Sequence, residues 1–425
     1  MRIMIVWPPS VPTYFNAGYH LPLWEVAGYL RQQRFVSKVS VIDGGLLNVT
    51  WAYMAKRLME KPDILAILNE FDNVAGLKFL VSYARTLTPS TSIITFGRAS
   101  ANTPGFFERY DVDAIVCSGD WEAAVAAFAE RRATNESRET PGVSLRRSDG
   151  SFAPASPGIF LPADEWAYPN PEEVPWEHFN AMYENDTLRF SGFPNKQELS
   201  VIISRGCPIG CSYCLITKQQ GRKERRRSVD SVMEYIERVR SVYAFDYLAT
   251  HSPTFTLDRS WVMDFARRVE RYPDKFEWKT CTTLHHLDEE LIDALARSRC
   301  LRLSVGLETL DENALALLPR AKQTTEDRLR QVCDWCSARG IELNCLVMLG
   351  MPGQTMAGIQ RTVDVVREIG ARLRPMMYTD FDALQPDTDE HSFFLHTRQL
   401  LNPSVGDDLD PERLNSIRFV QHAKE

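Results

Sequence analysis

Ser204-Arg205-Gly206-Cys207-Pro208-Ile209-Gly210-Cys211-Ser212-Tyr213-Cys214 is the stretch from which this chain is read. It follows directly on 199–204, an apolar run with the length of a buried strand. Thiolates spaced three and then two apart on one tight loop converge on a metal cluster, and Gly206 and Gly210 let the backbone fold close around it. Three ligands, not four, leave one iron of a 4Fe–4S cluster open to a substrate or cofactor. A structural zinc site needs a fourth ligand, and no paired CxxC or HxxxH lies nearby to complete one.

Outward from this loop the carboxyl-terminal half reads as a βα series. Strand signals fall at 199–204, 247–249, 277–282, 302–306 and 343–349, with a sixth at 376–381. Helical spacing lies between them, at 228–242, 288–298 and 325–339. Units of this number imply a partial (β/α)6 barrel whose site lies at the strands' C-terminal ends, where the cysteine loop emerges. A second alternation occupies 1–130. Its strands are expected at 3–7, 39–43, 64–68, 93–96 and 114–117, with helices at 21–31 and 75–84. This is the pattern of an α/β doubly wound, Rossmann-like parallel sheet. Proline-rich 131–198 reads as a linker, 199–385 as the barrel, and 386–425 as a short polar extension.

Composition narrows the function classes. The 425 residues carry 49 Lys and Arg against 56 Asp and Glu, a net charge of −7. That balance argues against a general nucleic-acid binder, which needs a basic surface. No run of about 18 apolar residues is present to span a bilayer. The opening apolar run, 3–7, is too short for a signal-peptide core. Nine cysteines, three of them in the loop, suit a reducing cytoplasm better than a disulfide framework.

With Tyr213 between Cys211 and Cys214, the loop resembles the CxxxCxΦC signature of the radical S-adenosylmethionine (SAM) superfamily, and the resemblance extends over about 199–385. It implies that Cys207, Cys211 and Cys214 hold a 4Fe–4S cluster. The open iron would chelate SAM, and an electron delivered by a flavodoxin- or ferredoxin-type donor would cleave it to a 5′-deoxyadenosyl radical. By the same resemblance Gly306-Leu307-Glu308-Thr309 is the segment whose carboxylate meets the SAM ribose. Leu346 to Gly353, with Gly350 at the turn, is the adenine-contacting strand end. Read alone, Glu308 is a strand-end carboxylate and 350–353 a simple turn. The basic run 222–227 reads as solvated charge, and the resemblance makes Arg227 the candidate for the SAM carboxylate. His251, at the second strand's end, is a candidate acid or base, or a structural strand-end histidine. Cys281, Thr282, Thr283, His285 and His286 follow the third strand without an assigned role. Cys333 and Cys336 lie on a predicted helix and read as core thiols.

A doubly wound domain before such a barrel resembles the cobalamin-binding-domain subclass, several members of which methylate unactivated carbons. The strand-end loops depart from that pattern. Arg98 follows Gly97 where relatives show a second glycine, and Trp121 stands in the last loop. Glu70 and Asp72 put carboxylates after strand three, and no DxHxxG motif occurs. The expectation is therefore a wall that binds a polar substrate through Glu70 and Asp72, with no corrin. In architecture the chain resembles a subclass member that dehydrates a diol in aminoglycoside biosynthesis. The reading favours a radical SAM dehydratase acting on a sugar-like metabolite. The alternatives are cobalamin-dependent C-methylation and a non-catalytic iron–sulfur scaffold.

Overall fold

Ile64–Leu68 and Ser92–Phe96 are five-residue runs buried along their whole length, which is what strands covered on both faces require. In the computed structural model they are β3 and β4 of a six-stranded sheet. The others are β1 (Arg2–Trp7), β2 (Lys38–Asp43), β5 (Ala114–Val116) and β6 (Val143–Leu145). The order is β2-β1-β3-β4-β5-β6. The first five strands run parallel, and β6 pairs antiparallel with β5. Order 2-1-3-4-5 puts the topological switch between β1 and β3, and ligands of such sheets bind beyond the strands' carboxyl ends. The structure describes residues 1–10, 20–71, 73–134, 139–184, 192–193, 195–397 and 409–419.

The chain forms two units. One comprises Met1–Phe179, Leu215–Lys223 and Phe381–Arg398; the other comprises Asn180–Cys214, Glu224–Asp380 and Gln399–Glu425. Two expectations are corrected in the first. The stretch read as a linker supplies β6, a three-residue strand whose apolar spacing was too short to reveal it. The start of the expected tail extension belongs to the core of this unit. Phe393, on helix Glu390–Thr397, is fully buried and stacks on Phe106 with ring centroids 4.0 Å apart.

The second unit holds β7 (Glu198–Ile202), the short antiparallel pair β8 (Ser204–Arg205) and β9 (Arg225–Arg226), then β10 (Tyr247–His251), β11 (Glu277–Thr282), β12 (Cys300–Glu308), β13 (Glu342–Leu349) and β14 (Arg372–Met377). Its main sheet runs β14-β13-β12-β11-β10-β7, every neighbour parallel. This is the expected open (β/α)6 array. The last strand starts four residues before the expected one. Arg372 and Arg374 alternate with Leu373 and Pro375, so the apolar run is broken. Proline, which lacks a ladder donor, is tolerated on this edge strand.

Five helices on this sheet begin with a side chain that accepts a first-turn backbone N–H: Ser228, Asp258, Asp288, Thr325 and Thr355. Each such cap is worth about 1 kcal/mol. Alternation along the strands sends Leu303, Val305, Leu343 and Cys345 to the buried helix side. The opposite face is polar: Lys279 pairs with Glu198 at 2.6 Å, Arg302 with Glu342, and His251 Nε2 lies 3.2 Å from Ser200 Oγ. Among the described residues no helix is long and apolar enough to cross a membrane.

Candidate functional site

The cysteine loop leaves β8 through Gly206, at φ +84°, and turns again at Gly210, at φ +72°. Both values lie in the left-handed region that glycine adopts without strain. The two reversals bring Cys207 and Cys211 inside and leave Cys214 half-buried, all as free thiols. Cys207 Sγ lies 3.8 Å from Thr254 Oγ1. Burial pushes the Cys211 thiol up, with Tyr213 and Lys322 opposing the shift and Glu308 and Cys207 adding to it. These five groups therefore share one electrostatic neighbourhood. Burial also raises the Tyr213 phenol, helped by Glu308 and Cys211. Its hydroxyl, buried beside them, meets no partner at hydrogen-bonding geometry.

Three free thiols on one short loop, two of them buried, fit the 4Fe–4S cluster that the spacing implies. Among the described residues no three His, Cys, Asp or Glu side chains close on a single metal.

Glu308 ends β12 at φ +62°, beside a bulge in the β12–β13 register between Gly306 and Glu308. The bulge re-aims its carboxylate, which is buried and paired with Lys322 Nζ at 3.0 Å. A Cβ on Gly306 would fall on the Lys322 ammonium and the Glu308 carboxylate. Gly306, Glu308 and Lys322 are therefore one device. Burial alone would lower Lys322, but Glu308 and the thiols of Cys211 and Cys214 outweigh it and hold the amine above the usual lysine range.

The sequence reading missed Lys322. It sits on a short turn, Arg320–Lys322, fourteen residues beyond its partner, and nothing in its local pattern sets it apart. The expected cation, Arg227, is buried, and its Nε donates to the Ile202 carbonyl at 3.2 Å. Thr309 is fully buried, and its Oγ1 accepts from Asp311 N. Both serve the backbone here. Leu346 is level with Gly306 in the β12–β13 register and half-buried on the same face. Gly350 turns out of β13 at φ +85°. Gln354 braces this turn, accepting from Met351 N and donating to Met348 O, each at 2.9 Å. His251 is held neutral, burial pushing its imidazole down to about 4.

In the first unit Glu70 is not a free substrate carboxylate. It is buried and paired with Arg98 across the ends of β3 and β4. Asp72 lies outside the described residues. The glycines at this edge face the chain itself: a Cβ on Gly97 would strike Asn69, and one on Gly44 would strike Trp7 and Pro9. His20 fills the β1–β2 end, stacked on Trp7 at 3.8 Å and hydrogen-bonded to Asp43 at 2.5 Å. Among the described residues, Glu70, Arg98 and His20 thus occupy this edge.

Residues 201–366 match the family model of the Radical SAM superfamily. Over 379 residues the chain is 21% identical to an uncharacterised methyltransferase of Pyrococcus horikoshii, covering 87% of this chain and 78% of the relative. It is 25% identical to cytidylyl-2-hydroxyethylphosphonate methyltransferase of Streptomyces wedmorensis over 73% of this chain; the chain spans 62% of that relative's length. Among solved structures it resembles the radical S-adenosylmethionine methyltransferase TsrM of Kitasatospora setae, determined with cobalamin and a 4Fe–4S cluster bound. The TM-score is 0.70 at 18% identity, over 89% of this chain and 71% of that one. The cysteine loop and the bulged Glu308 strand thus lie within a radical SAM domain, residues 201–366, in a chain whose fold is similar to that of the cobalamin-bound methyltransferase TsrM.

Proposed function

We propose that this enzyme reductively cleaves one SAM at Cys207, Cys211 and Cys214, abstracting a hydrogen from a small polar molecule, and transfers to that molecule a methyl group from a second SAM, which leaves as S-adenosylhomocysteine. The Glu308–Lys322 pair beside the three thiols is the observation that carries the SAM site. When bound, a 4Fe–4S cluster supplies the electron that breaks the sulfonium bond. Glu308 accepts hydrogen bonds from the ribose hydroxyls. Lys322, paired with Glu308 and in the field of the Cys211 and Cys214 thiols, takes the place of Arg227 as the cation that meets the SAM carboxylate. Leu346 and Gly350 offer an apolar strand end and a close backbone to the adenine. A flavodoxin- or ferredoxin-type protein delivers the electron. Methyl transfer is supported by the names of both curated relatives, and it replaces dehydration as the leading reading.

One observation favours a second reading, loss of a hydroxyl without a corrin: the Glu70–Arg98 pair and the Gly97–Asn69 contact close the β3–β4 end where a flat cofactor would need room. A corrin-dependent route requires that pair to part. Anaerobic reconstitution with iron, sulfide and hydroxocobalamin, followed by turnover with SAM and a reductant, decides between them. Bound corrin with S-adenosylhomocysteine as a product supports methyl transfer. 5′-Deoxyadenosine alone, from corrin-free protein, supports the second reading. Failure to cleave SAM at all overturns both.

A further inference from the structure

The polar face of the second sheet carries hydrogen-bonding capacity that the protein leaves unspent. Cys281 on β11, Ser304 on β12 and Asn344 on β13 stand level in register. Asn344 donates to Ser304 Oγ at 2.9 Å, so both side chains lie on one face. Asn344 is 1% exposed, yet its Oδ1 has no partner. Thr283, one level nearer the strand ends and beside Gly306, is equally buried and extended in backbone, and its Oγ1 is also unpartnered. The two orphaned buried atoms thus belong to one face of the sheet, two strands apart, and each costs about 1–3 kcal/mol unless a ligand or water satisfies it. Cys281 on β11, level with Ser304 and Asn344, is exposed.

The chemistry of the row is neutral. Beneath it the charges are already matched, Lys279 with Glu198 and Arg302 with Glu342. Arg374, on the edge strand, is itself engaged. The flanking His251 is uncharged and bonded to Ser200. Strands lie about 4.8 Å apart, so β11 to β13 span about 10 Å, the width of one ring bearing hydroxyls.

We infer that Cys281, Thr283, Ser304 and Asn344 form a substrate subsite for a neutral, multiply hydroxylated ring. The inference rests on the radical SAM reading above and names the substrate class of that same site. Hydroxyls donate to Asn344 Oδ1 and exchange hydrogen bonds with Thr283 and Ser304, while the Cys281 thiol lies against the ring. A phosphate or carboxylate at this position would find no unmatched cation in the row.

Alkylation of Cys281 tests it in the anaerobically reconstituted holoprotein, where the cluster cysteines are ligated. Iodoacetamide labelling is followed at the Cys281 peptide by mass spectrometry, with myo-inositol, glucose and N-acetylglucosamine as neutral probes. Glucose 6-phosphate and tryptophan are the charged comparators. At ten times its Kd a neutral polyol should slow labelling roughly tenfold, and the comparators should not. Asn344→Ala and Thr283→Val should each abolish protection with iron and sulfide content retained; the near-isosteric valine guards against a folding artefact. Protection by the comparators alone, by no probe, or equally in both variants overturns the subsite. SAM cleavage is measured separately, so protection without cleavage would sink the radical reading and leave the subsite standing.

Discussion

Glu308 occupies a backbone region that costs a side-chain-bearing residue of order 1 kcal/mol or more. Glu308→Gly relieves that strain but strands the buried Lys322 ammonium, so it should lower the thermal midpoint as well as weaken SAM binding. Glu308→Gln, which keeps the shape, should also weaken it, by roughly ten- to a hundredfold, because a hydrogen bond to a charged group is worth about 1.5–3 kcal/mol. Calorimetric titration of SAM into reconstituted protein checks both, and unchanged affinity in the glutamine variant would remove Glu308 from the ribose role. His251 yields a prediction in pH. Its folded pKa of about 4 lies below the ordinary imidazole value of 6.5, so the unfolded chain binds the proton first. The stabilisation is complete above pH 6.5 and is lost as pH falls toward 4, at no more than about 1.4 kcal/mol per pH unit. His251→Gln should flatten that part of the stability–pH curve in denaturant titrations; an unaltered curve would show that other groups set it.

Among the elements, the strand-to-helix connections hold the site in place. Thr355 caps the helix Met356–Glu368, and both its N–H and its hydroxyl donate to Asp311, which lies just beyond Glu308. The loop after β12 and the turn after β13 are thereby tied together. Gly358 belongs to the same joint, since a Cβ there would strike the Asp311 carboxylate. Thr355→Ala loses the cap and one of these bonds, and should cost about 1–2 kcal/mol, read as a lower unfolding midpoint. Gly358→Ala displaces Asp311 and should weaken SAM binding as well. A Gly358→Ala enzyme with unchanged SAM affinity would show that this joint bears on stability only. The charge pair Lys279–Glu198 joins β11 to β7 in the same unit. Lys279→Met strands a buried carboxylate, and should destabilise by about 3–5 kcal/mol; adding Glu198→Gln should restore most of the loss.

At the scale of the whole molecule, the question is which chemistry the first sheet's strand ends admit. Its topology is that of a ligand-binding sheet, but Glu70, Arg98 and His20 occupy the edge. If the Glu70–Arg98 pair is the barrier, Arg98→Gly should raise corrin uptake above wild type when both are reconstituted with hydroxocobalamin. Equal uptake, read from the corrin absorbance of desalted protein, would show that the pair does not gate the crevice. The paired variant Glu70→Gln separates charge from bulk: it loosens the ion pair and leaves the long arginine in place.

Local sequence determined the class of fold and pointed to the radical SAM superfamily. Three cysteines on one short loop bring their ligands together whatever the rest of the chain does, and alternating strand and helix signals admit few arrangements other than parallel sheets. The turn at Gly350 and the bulge beside Gly306 likewise involve immediate neighbours along the chain. What only the tertiary structure decided is which distant groups meet. Lys322 reaches Glu308 across a turn, Arg98 neutralises Glu70 from the next strand's end, and Phe393 enters the first unit's core from nearly 290 residues beyond its stacking partner Phe106. The sixth strand was displaced in the reading because its arginines alternate with its apolar residues. Spacing along a chain carries local geometry alone; charge matching, burial and unpaired hydrogen-bonding groups arise when strands far apart in sequence are brought side by side.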